Sequence, residues 1–413
     1  MNAGRQAAAE ALIAVEAGAH VEDALARLLD SGAGIAGRCD PGDRALAWNL
    51  ALGVLRRRDA LDSAMVAGAK RSLRTIDPGV RAILRCALYE LAFTRTPAHA
   101  AVDQAVGLTR RLNLGHAAAF VNAVLRNAPP PDPSLPGFPS VLVDRWRARW
   151  GERADAWMHA CNEPAPLTLV PKEDEAGLVR SLQHAGIVAT PIGEAGTATR
   201  PVSVAPCLVT NLPGFAEGRF WVMDAAAVSV ADLLADGIGE GSTVLDACAA
   251  PGGKSLRLAS LGYRVTATDS NPERLVRLRE NQARMGLPIH VLDAGIEPEE
   301  RYDAVLVDAP CSGLGTVRRH PDIRWRKTTP DLLAAHLATL AKRQADLLHQ
   351  LKRRVRPGGV LVYAVCSPEP EEGDAVARTL SWPIEATVDT TPGTVDPTQG
   401  ADAHVAFRFR APG

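Results

Sequence analysis

Two different spacings of apolar residues divide this chain into an all-helical first part and an alternating second part. In the first part, apolar residues recur every three or four positions, as one buried face of a helix requires. The clearest stripe consists of Val80, Ile83, Leu84, Ala87, Leu88 and Leu91. A helix start at Asp40 precedes another stripe, formed by Leu46, Leu50 and Val54. The pattern predicts a helical bundle over residues 1–128.

Prolines interrupt the helical pattern after this bundle. Six of them fall between Pro129 and Pro139, and because proline-rich segments are extended and stiff, residues 129–140 are predicted to form a linker. Beyond it, Trp146, Trp150 and Trp157 lie at helical spacing, which is typical of core packing rather than of base stacking. Residues 141–235 mix short strands and turns and are predicted to form a small α/β subdomain.

From about residue 241, short apolar runs alternate with helical patterns, which is typical of a doubly wound parallel sheet. The runs end at or just before Asp246, Asp269, Asp293, Asp308 and Cys366. A long helix is predicted from about residue 330 to residue 355, and residues 405–409 alternate as a closing antiparallel strand would. Residues 236–413 thus form the last predicted domain. In open α/β sheets, ligands bind at the carboxyl ends of the strands.

The charge distribution points to one basic segment in an otherwise balanced chain. The formal net charge is −1, so no global basic field indicates nucleic acid. Residues 301–360, however, carry 12 Lys and Arg against 5 Asp and Glu, whereas residues 361–413 carry 3 against 8. A basic face near the crevice is therefore expected, although charges on solvated helix faces account for part of this excess.

The sequence lacks the patterns of several classes of protein, which disfavours those classes. The opening residues lack the apolar core of a signal peptide, and no run of about 18 apolar residues indicates a membrane span. The seven cysteines are odd in number and scattered, so they predict no disulfide framework and fit the reducing cytoplasm. None of them has the spacing of a zinc site, and no metal is expected.

A glycine-containing loop at residues 246–255 follows the first strand of the predicted sheet. Such a loop lets a ligand approach backbone N–H groups at a helix start. It matches neither GxGxxG nor the P-loop pattern, which disfavours dinucleotides and nucleoside triphosphates. Asp269 can accept both hydroxyls of a ribose, and Asp293 can meet an adenine amino group. Strand-end aspartates often serve only as turn or cap residues. Three of them, Asp246, Asp269 and Asp293, follow three successive strands, and this arrangement favours a pocket for S-adenosylmethionine.

Two cysteines, Cys311 and Cys366, each follow a buried strand and each precede a serine. Carbon 5 of a pyrimidine is a poor nucleophile, but a thiolate that adds to carbon 6 enables carbon 5 to accept a methyl group. A single buried cysteine would more often be inert packing, whereas two beside a methyl donor predict covalent catalysis. Thiol redox chemistry is disfavoured, because the cysteines lie 55 residues apart rather than in CxxC.

Residues 241–376 resemble the RNA cytosine-C5 methyltransferases of the NOL1/NOP2/Sun family. The matching motifs lie at residues 246–255, 308–313, 317–325, 363–367 and 370–372. The first part resembles the NusB antitermination fold, notably at residues 94–102 and 120–126. This layout is that of the bacterial Sun subfamily, which acts on 16S ribosomal RNA. The resemblance implies an α/β, class I (Rossmann-like) S-adenosylmethionine-dependent methyltransferase domain, preceded by an all-α NusB-like bundle that binds RNA.

The resemblance also implies roles for the matching residues. Cys366 is the expected nucleophile, Cys311 assists release of the methylated RNA, and Asp308 orients the cytosine beside the cofactor. The expected cofactor contacts are Cys248, Ala249, Ala250, Pro251, Gly252, Gly253 and Lys254 around the methionine part, Asp269 at the ribose, Asp293 at the adenine, and Asp308. The expected RNA contacts are Arg318, Arg319, His320 and Arg324. The implied partner is 16S ribosomal RNA or an assembling small-subunit particle, bound by a cytoplasmic monomer without membrane contact.

Some alternatives stay open on the sequence alone. The same chemistry could act on transfer RNA, or the chain could be an RNA-binding scaffold with a silent methyltransferase domain, which the intact site residues disfavour. Two thiols are present, and only the resemblance assigns the nucleophile to Cys366. The chain also departs from the family pattern, at Val170, Met223, Val365 and Gly373.

Overall fold

The chain divides into two units, and the division does not follow chain order. The computed structural model describes residues 3–30, 35, 37, 39–193, 199–296, 298–396 and 402–413. Met1–Glu163 and Val317–Pro330 form the first unit, and Pro164–Thr316 and Asp331–Gly413 form the second. The first unit therefore includes a late segment, residues 317–330, which we call the strap.

The first unit is helical. Its helices are α1 (Ala3–Glu16), α2 (Val21–Asp30), α3 (Pro41–Arg56), α4 (Arg58–Ala69), α5 (Pro78–Phe93), α6 (Ala98–Arg111), α7 (Ala118–Asn127), α8 (Ser140–Trp150) and α9 (Glu152–Cys161). The carboxylates of Asp40 and Asp77 cap α3 and α5, and a proline follows each cap, as helix starts favour. Leu50, Val54 and Ile83 are buried in one apolar core, which confirms the predicted bundle.

The first unit extends beyond the predicted boundary at residue 128. α8 and α9 group with this helical unit, whereas the sequence analysis places their residues in the small α/β subdomain. Phe138, in the segment predicted as a linker, is buried and packs edge-on against Trp146 at a ring distance of 5.3 Å. Trp146 and Trp157 are also buried, with ring centroids 4.7 Å apart, which confirms their core role. Because aromatic rings bury large apolar areas, they hold this proline-rich segment against the helices.

The strap contributes a short 3₁₀ helix, Pro321–Trp325, to the first unit. The Trp325 ring packs against the apolar core of the bundle, and its Nε1 donates a hydrogen bond of 2.8 Å to the carbonyl oxygen of Leu55. The guanidinium of Arg58 lies 5.0 Å from the Trp325 ring centroid, within cation–π range. The bundle is therefore completed by residues that lie far from it in the sequence.

The second unit contains two sheets. Its elements are β1 (Leu167–Pro171), α10 (Glu175–His184), β2 (Ala189–Pro191), β3 (Val202–Val204), β4 (Phe220–Val222), α11 (Ala225–Ala235), β5 (Thr243–Asp246), α12 (Gly253–Ser260), β6 (Arg264–Ala267), α13 (Pro272–Met285), β7 (Ile289–Val291), β8 (Tyr302–Asp308), α14 (Pro330–Leu351), β9 (Val355–Val365), α15 (Asp374–Ala377), β10 (Ile384–Asp389) and β11 (Val405–Arg410). The smaller sheet, in the order β2-β3-β1-β4, is antiparallel.

The larger sheet has the order β10-β11-β9-β8-β5-β6-β7. The strands from β9 to β7 run parallel, and β11 pairs antiparallel with β9, as predicted for the closing strand. Both faces of the sheet are covered: Val244 and Leu306 belong to one apolar cluster, and Leu245 and Val305 belong to another. Burial on both faces explains the continuous apolar runs and confirms the doubly wound fold.

Candidate active site

The order of the strands brings three predicted strand ends, two of which carry predicted site residues, to one edge of the sheet. β8 lies between β5 and β9, so the carboxyl ends of these parallel strands are neighbours. Asp246 ends β5, Asp308 ends β8, and Cys366 directly follows β9. These residues begin the three turns from which the site is built.

The two thiols meet at this edge. The Sγ atoms of Cys311 and Cys366 lie 3.2 Å apart, which is hydrogen-bond distance for sulfur. The hydrogen bond to Cys366 is the main cause that raises the pKa of Cys311 well above its ordinary value, and burial adds to it. The raised pKa favours the protonated form of Cys311, and either sulfur can be the donor in this contact.

A partly buried ion pair lies beside the thiols. The Nζ atom of Lys254, in the first turn of α12, donates a hydrogen bond of 2.6 Å to the Asp308 carboxylate. Burial favours the neutral amine, but the charge and the hydrogen bond of Asp308, together with the charge of Asp246, outweigh this effect and raise the pKa of Lys254. Lys254 is therefore a fixed cation, and its charge also reaches Cys366, which contributes to the same pKa shift.

The glycine loop between β5 and α12 forms a cradle in which side chains are excluded. Gly252 has a φ of +107°, a conformation that residues with a Cβ rarely adopt. A Cβ at Gly253 would lie 3.3 Å from the side chain of Met223. The backbone of this loop is thus open to a ligand that approaches the start of α12.

Two buried carboxylates flank the glycine loop. Asp269 accepts hydrogen bonds from the backbone N–H groups of Ala250 at 3.2 Å and Asn271 at 2.9 Å. Asp246 accepts a bond of 2.6 Å from the Ser255 hydroxyl through Oδ2, whereas its Oδ1 is buried without a partner in the described part of the chain. Burial raises the pKa of Asp246 to about 7. An unsatisfied buried oxygen of this kind fits a ligand that brings a hydrogen-bond donor.

Two cavities open onto these residues. A cavity of about 620 Å³ is lined by Cys248, Asp269, Asp308, Cys311 and Cys366, so the Asp269 carboxylate and both thiols face one space. A second cavity, of about 390 Å³, is lined by the glycine loop, Lys254, Asp246 and Asp308. Because Asp308 and Cys248 line both cavities, the two spaces meet at the end of β8.

Some residues of the larger cavity were not predicted. Arg274 at α13, and Arg343, Gln344 and Gln350 on α14, line it as well. The sequence signal that could have indicated these residues is their helical spacing, which places polar side chains on a helix face that would otherwise be apolar. The structure also places Asp293 differently from the prediction: β7 ends two residues before it, and its side chain is 86% exposed and bonded to Arg279 at 2.7 Å.

The predicted RNA contacts all lie in the strap, within the first unit. Arg324 is 0% exposed, so its prediction as an RNA contact is wrong for this structure. Its guanidinium donates to five acceptors: the carbonyl oxygens of Arg56, Gly137, Cys161 and Val317, and Oδ1 of Asn162. Arg324 is buried and its donors are satisfied by neutral acceptors, so this arginine has a structural role.

The other three predicted RNA contacts, Arg318, Arg319 and His320, are partly exposed. Arg318 Nε donates to the Glu163 carbonyl oxygen at 3.2 Å, and the Nδ1 atom of His320 lies 3.2 Å from the Glu22 carboxylate. These three residues keep surface that RNA could contact.

The residues of the site fit S-adenosylmethionine. The glycine cradle, the buried Asp269 and the unpartnered Oδ1 of Asp246 match a ligand with a ribose and a cationic amino group. Within the described ranges, no cluster of His, Cys, Asp and Glu could hold a metal ion. No helix among the same residues is both long and apolar enough to cross a membrane.

Comparison with known proteins agrees with this geometry. A family model described as 16S rRNA methyltransferase RsmB/F matches residues 235–402, and the NusB family model matches residues 2–129. The ribosomal RNA small subunit methyltransferase B of Pseudomonas syringae pv. tomato is 36% identical, over 90% of this chain and 85% of the relative. The protein of that name from Vibrio cholerae serotype O1 is 35% identical, over 87% of this chain and 85% of the relative.

One solved structure matches almost the whole chain. The crystal structure of PH0851 has a TM-score of 0.76 and covers 98% of each chain at 21% identity, a likeness that shows the fold alone. The sequence relatives show more, because they exceed a third identity over most of both chains. The chain belongs to the RsmB/F family of 16S rRNA methyltransferases, with a NusB domain before the methyltransferase domain and S-adenosylmethionine as its cofactor.

Proposed function

We propose that the protein transfers a methyl group from S-adenosylmethionine to carbon 5 of a cytosine in 16S ribosomal RNA, through a covalent bond between Cys366 and carbon 6. The observation that carries the proposal is the pair of thiols 3.2 Å apart in a cavity that Asp269 also lines. Methylation of a ring nitrogen or oxygen needs no thiol, whereas methylation of carbon 5 needs a nucleophile at carbon 6. The names of the relatives support the RNA substrate.

The first step is attack by Cys366. Its thiolate forms a bond to carbon 6, and the electron pair of the 5,6 double bond moves to carbon 5. S-Adenosylmethionine, when bound, would supply an electrophilic methyl group: the electron pair on carbon 5 forms the new C–C bond, and the pair of the broken S–CH3 bond stays on the cofactor sulfur. The assignment of Cys366 as nucleophile rests on the family resemblance, and the raised pKa of Cys311 is compatible with a partner thiol that stays protonated during the attack.

The second step is release of the methylated base. A base must remove the proton from carbon 5, so that its electron pair restores the double bond and the thiolate of Cys366 leaves carbon 6. Once Cys366 is bound to carbon, its sulfur no longer carries the charge that raises the pKa of Cys311. Cys311 can then lose its own proton and act as the base.

The ion pair of Lys254 and Asp308 has an orienting role in this proposal. Asp308 lines both cavities, so its carboxylate can contact the cytosine from a position beside the cofactor. Lys254 holds that carboxylate at 2.6 Å and keeps it charged. A carboxylate in this position can accept a hydrogen bond from the amino group on carbon 4 of cytosine, which uracil lacks.

The test is bisulfite sequencing of ribosomal and transfer RNA from cells with and without the gene. The expected result is one cytosine of 16S ribosomal RNA that is protected only when the gene is present. Restoration by the wild-type gene but not by a gene encoding Cys366→Ala would tie the protection to the thiol. Protection only in transfer RNA would contradict the proposed substrate, and no protected cytosine in any RNA would overturn the chemistry.

A further inference from the structure

We infer that Glu372 is a positioning residue that holds the two cysteine-bearing turns at the separation at which their thiols can cooperate. Glu372 follows β9 by seven residues and precedes α15. Its side chain is 0% exposed, so it touches neither solvent nor substrate. The inference rests on the proposed function for its catalytic meaning, whereas the geometry stands without it.

The carboxylate of Glu372 accepts four hydrogen bonds. Its Oε1 accepts the backbone N–H of Ser312 at 2.8 Å and Nε2 of Gln344 at 2.9 Å. Its Oε2 accepts the hydroxyls of Ser312 and Ser367, each at 2.5 Å. Two donors for each oxygen is the pattern that a negatively charged carboxylate can satisfy, because it accepts hydrogen bonds and donates none.

Each of the two serines directly follows a cysteine. Ser312 follows Cys311, and Ser367 follows Cys366, so one carboxylate joins the turn after β8 to the turn after β9. This explains why both cysteines are followed by serine. The thiols themselves lie 3.2 Å apart, on the side chains next to those that Glu372 binds.

Further contacts fix Glu372 and its partners. Nε2 of Gln344 also donates to the carbonyl oxygen of Pro310 at 3.0 Å, so the turn that bears Cys311 is held on both sides of the thiol. The hydroxyl of Tyr363, buried in β9, donates to the carbonyl oxygen of Glu372 at 2.5 Å. The network is therefore anchored in α14 and in the central sheet.

The charge of Glu372 has a purpose beyond packing. In the part of the chain that the structure describes, no Lys, Arg or His forms an ion pair with it, and a buried charge without a counter-ion is costly. The hydrogen bond to Cys366 is the main cause of the raised pKa of Cys311, and the negative charge of Glu372 raises it further. The charge of Glu372 thus also favours the protonated form of Cys311.

The first test measures the distance between the thiols. Diamide oxidises two nearby thiols to a disulfide: the sulfurs lose two protons and two electrons, which diamide takes up as it becomes a hydrazine. In the wild-type full-length chain, mass spectrometry should find the bond between Cys311 and Cys366. Glu372→Gln replaces one acceptor oxygen with a donor, which cannot serve the N–H of Ser312 or the serine hydroxyls equally well. Its cross-linking rate should fall about 10-fold, because misplaced groups react slowly.

The second test separates charge from position. Iodoacetamide labelling, followed by peptide mass spectrometry, measures how alkylation divides between Cys311 and Cys366. Glu372→Gln should shift labelling toward Cys311, because loss of the negative charge lowers the pKa of that thiol. Glu372→Asp keeps the charge but shortens the side chain, so it should slow cross-linking and leave the labelling ratio near that of the wild type.

Asp374→Asn is the matched control, because it neutralises an exposed carboxylate two residues away. It should change neither cross-linking nor labelling. If Glu372→Gln does not fold, Ser312→Ala and Ser367→Ala each remove one donor, and each should slow cross-linking. Wild-type rates and ratios in a folded Glu372→Gln, or in both serine variants, would overturn the inference.

Neither assay uses RNA or methyl transfer, so their outcome is independent of the proposed function. If the protein methylates carbon 5, Glu372→Gln should lower kcat about 100-fold and leave the cofactor Kd within 2- to 3-fold, since Asp269 and the glycine loop lie on other strands. An unchanged kcat beside slowed cross-linking would show that thiol spacing does not limit the reaction, which contradicts the positioning role in catalysis.

Discussion

The thiols of Cys311 and Cys366 lie 3.2 Å apart although 55 positions separate them in the chain. They meet because β8 and β9 are adjacent parallel strands, paired in register as far as Asp308 and Ala364. The turns that follow β8 and β9 therefore begin at the same height along the sheet, and both cysteines line the same cavity. The pair can nevertheless be separated by substitution, because the proposed steps use the two thiols at different times.

Cys311→Ala should permit attack and methylation but prevent release of the product. The carbon-5 proton would stay in place, and the enzyme would remain bonded to its RNA through Cys366. Denaturing electrophoresis with labelled 16S ribosomal RNA should show a covalent complex. Cys366→Ala and the double variant should give no such band, since no bond to carbon 6 can form. A band in Cys366→Ala instead would reverse the two roles.

Asp269→Ala should weaken S-adenosylmethionine binding at least 10-fold. Loss of a buried carboxylate that accepts ribose hydroxyls costs about 1.5–3 kcal/mol for a hydrogen bond to a charged group. Asp293→Ala is the natural comparison, because that side chain is 86% exposed and should change the Kd less than 3-fold. Isothermal titration calorimetry on both variants decides the matter, and equal losses of affinity would restore Asp293 to the adenine site.

The free energy of unfolding of the cofactor-free protein should decrease as the pH rises from 4 to 7, because the buried carboxyl of Asp246 ionises in this range. Burial raises the pKa of this carboxyl from 3.8 to about 7, above its value in the unfolded chain. The folded state therefore holds the proton more tightly, and stability is lost as ionisation is forced on the buried group. Asp246→Asn should be more stable than the wild type at pH 8, by at most about 4 kcal/mol, and equally stable at pH 4.

Urea unfolding of the wild type and Asp246→Asn at pH 4, 6 and 8 measures this difference. The amide oxygen of the Asp246→Asn side chain can still accept the hydrogen bond from the Ser255 hydroxyl, so loss of this bond does not contribute to the difference in stability. A stability difference that stays constant with pH would mean that Asp246 does not titrate in this range.

Arg324→Ala should destabilise the protein by more than about 3 kcal/mol, because it leaves several buried acceptors without a donor. Arg318→Ala, in the same strap but partly exposed, should cost less than about 1 kcal/mol. If Arg318 contacts phosphate, its loss should also lower the slope of log affinity for RNA against log salt by about one. Similar unfolding midpoints for the two variants would argue against the structural role of Arg324.

The sheet and its glycine loop were predictable from the sequence because their signals are local. A buried parallel strand is a short apolar run, and the end of that run fixes which residue enters the crevice. This reasoning places Asp246, Asp308 and Cys366 correctly. It misplaces Asp293, because β7 ends at Val291 and the two further residues turn the side chain outward.

The contacts of Arg324 and Glu372 could not be predicted in the same way. An arginine side chain normally remains solvated, and the acceptors that bury Arg324 come from residues 56, 137, 161 and 162. The donors to Glu372 come likewise from Ser312, Gln344 and Ser367, on three separate elements. Such assignments depend on tertiary structure, for which a single sequence carries no local pattern.

The discontinuous first unit has a consequence for the synthesis of the protein. A nascent chain that has emerged only to residue 163 lacks the strap, so the carbonyl oxygens of Gly137 and Cys161 have yet to receive the guanidinium of Arg324. The bundle can be completed only after the strap has emerged from the ribosome, and the turn that bears Cys311 emerges before it. A premature stop between these points would release a helical unit with unsatisfied buried acceptors, which makes it a target for proteolysis.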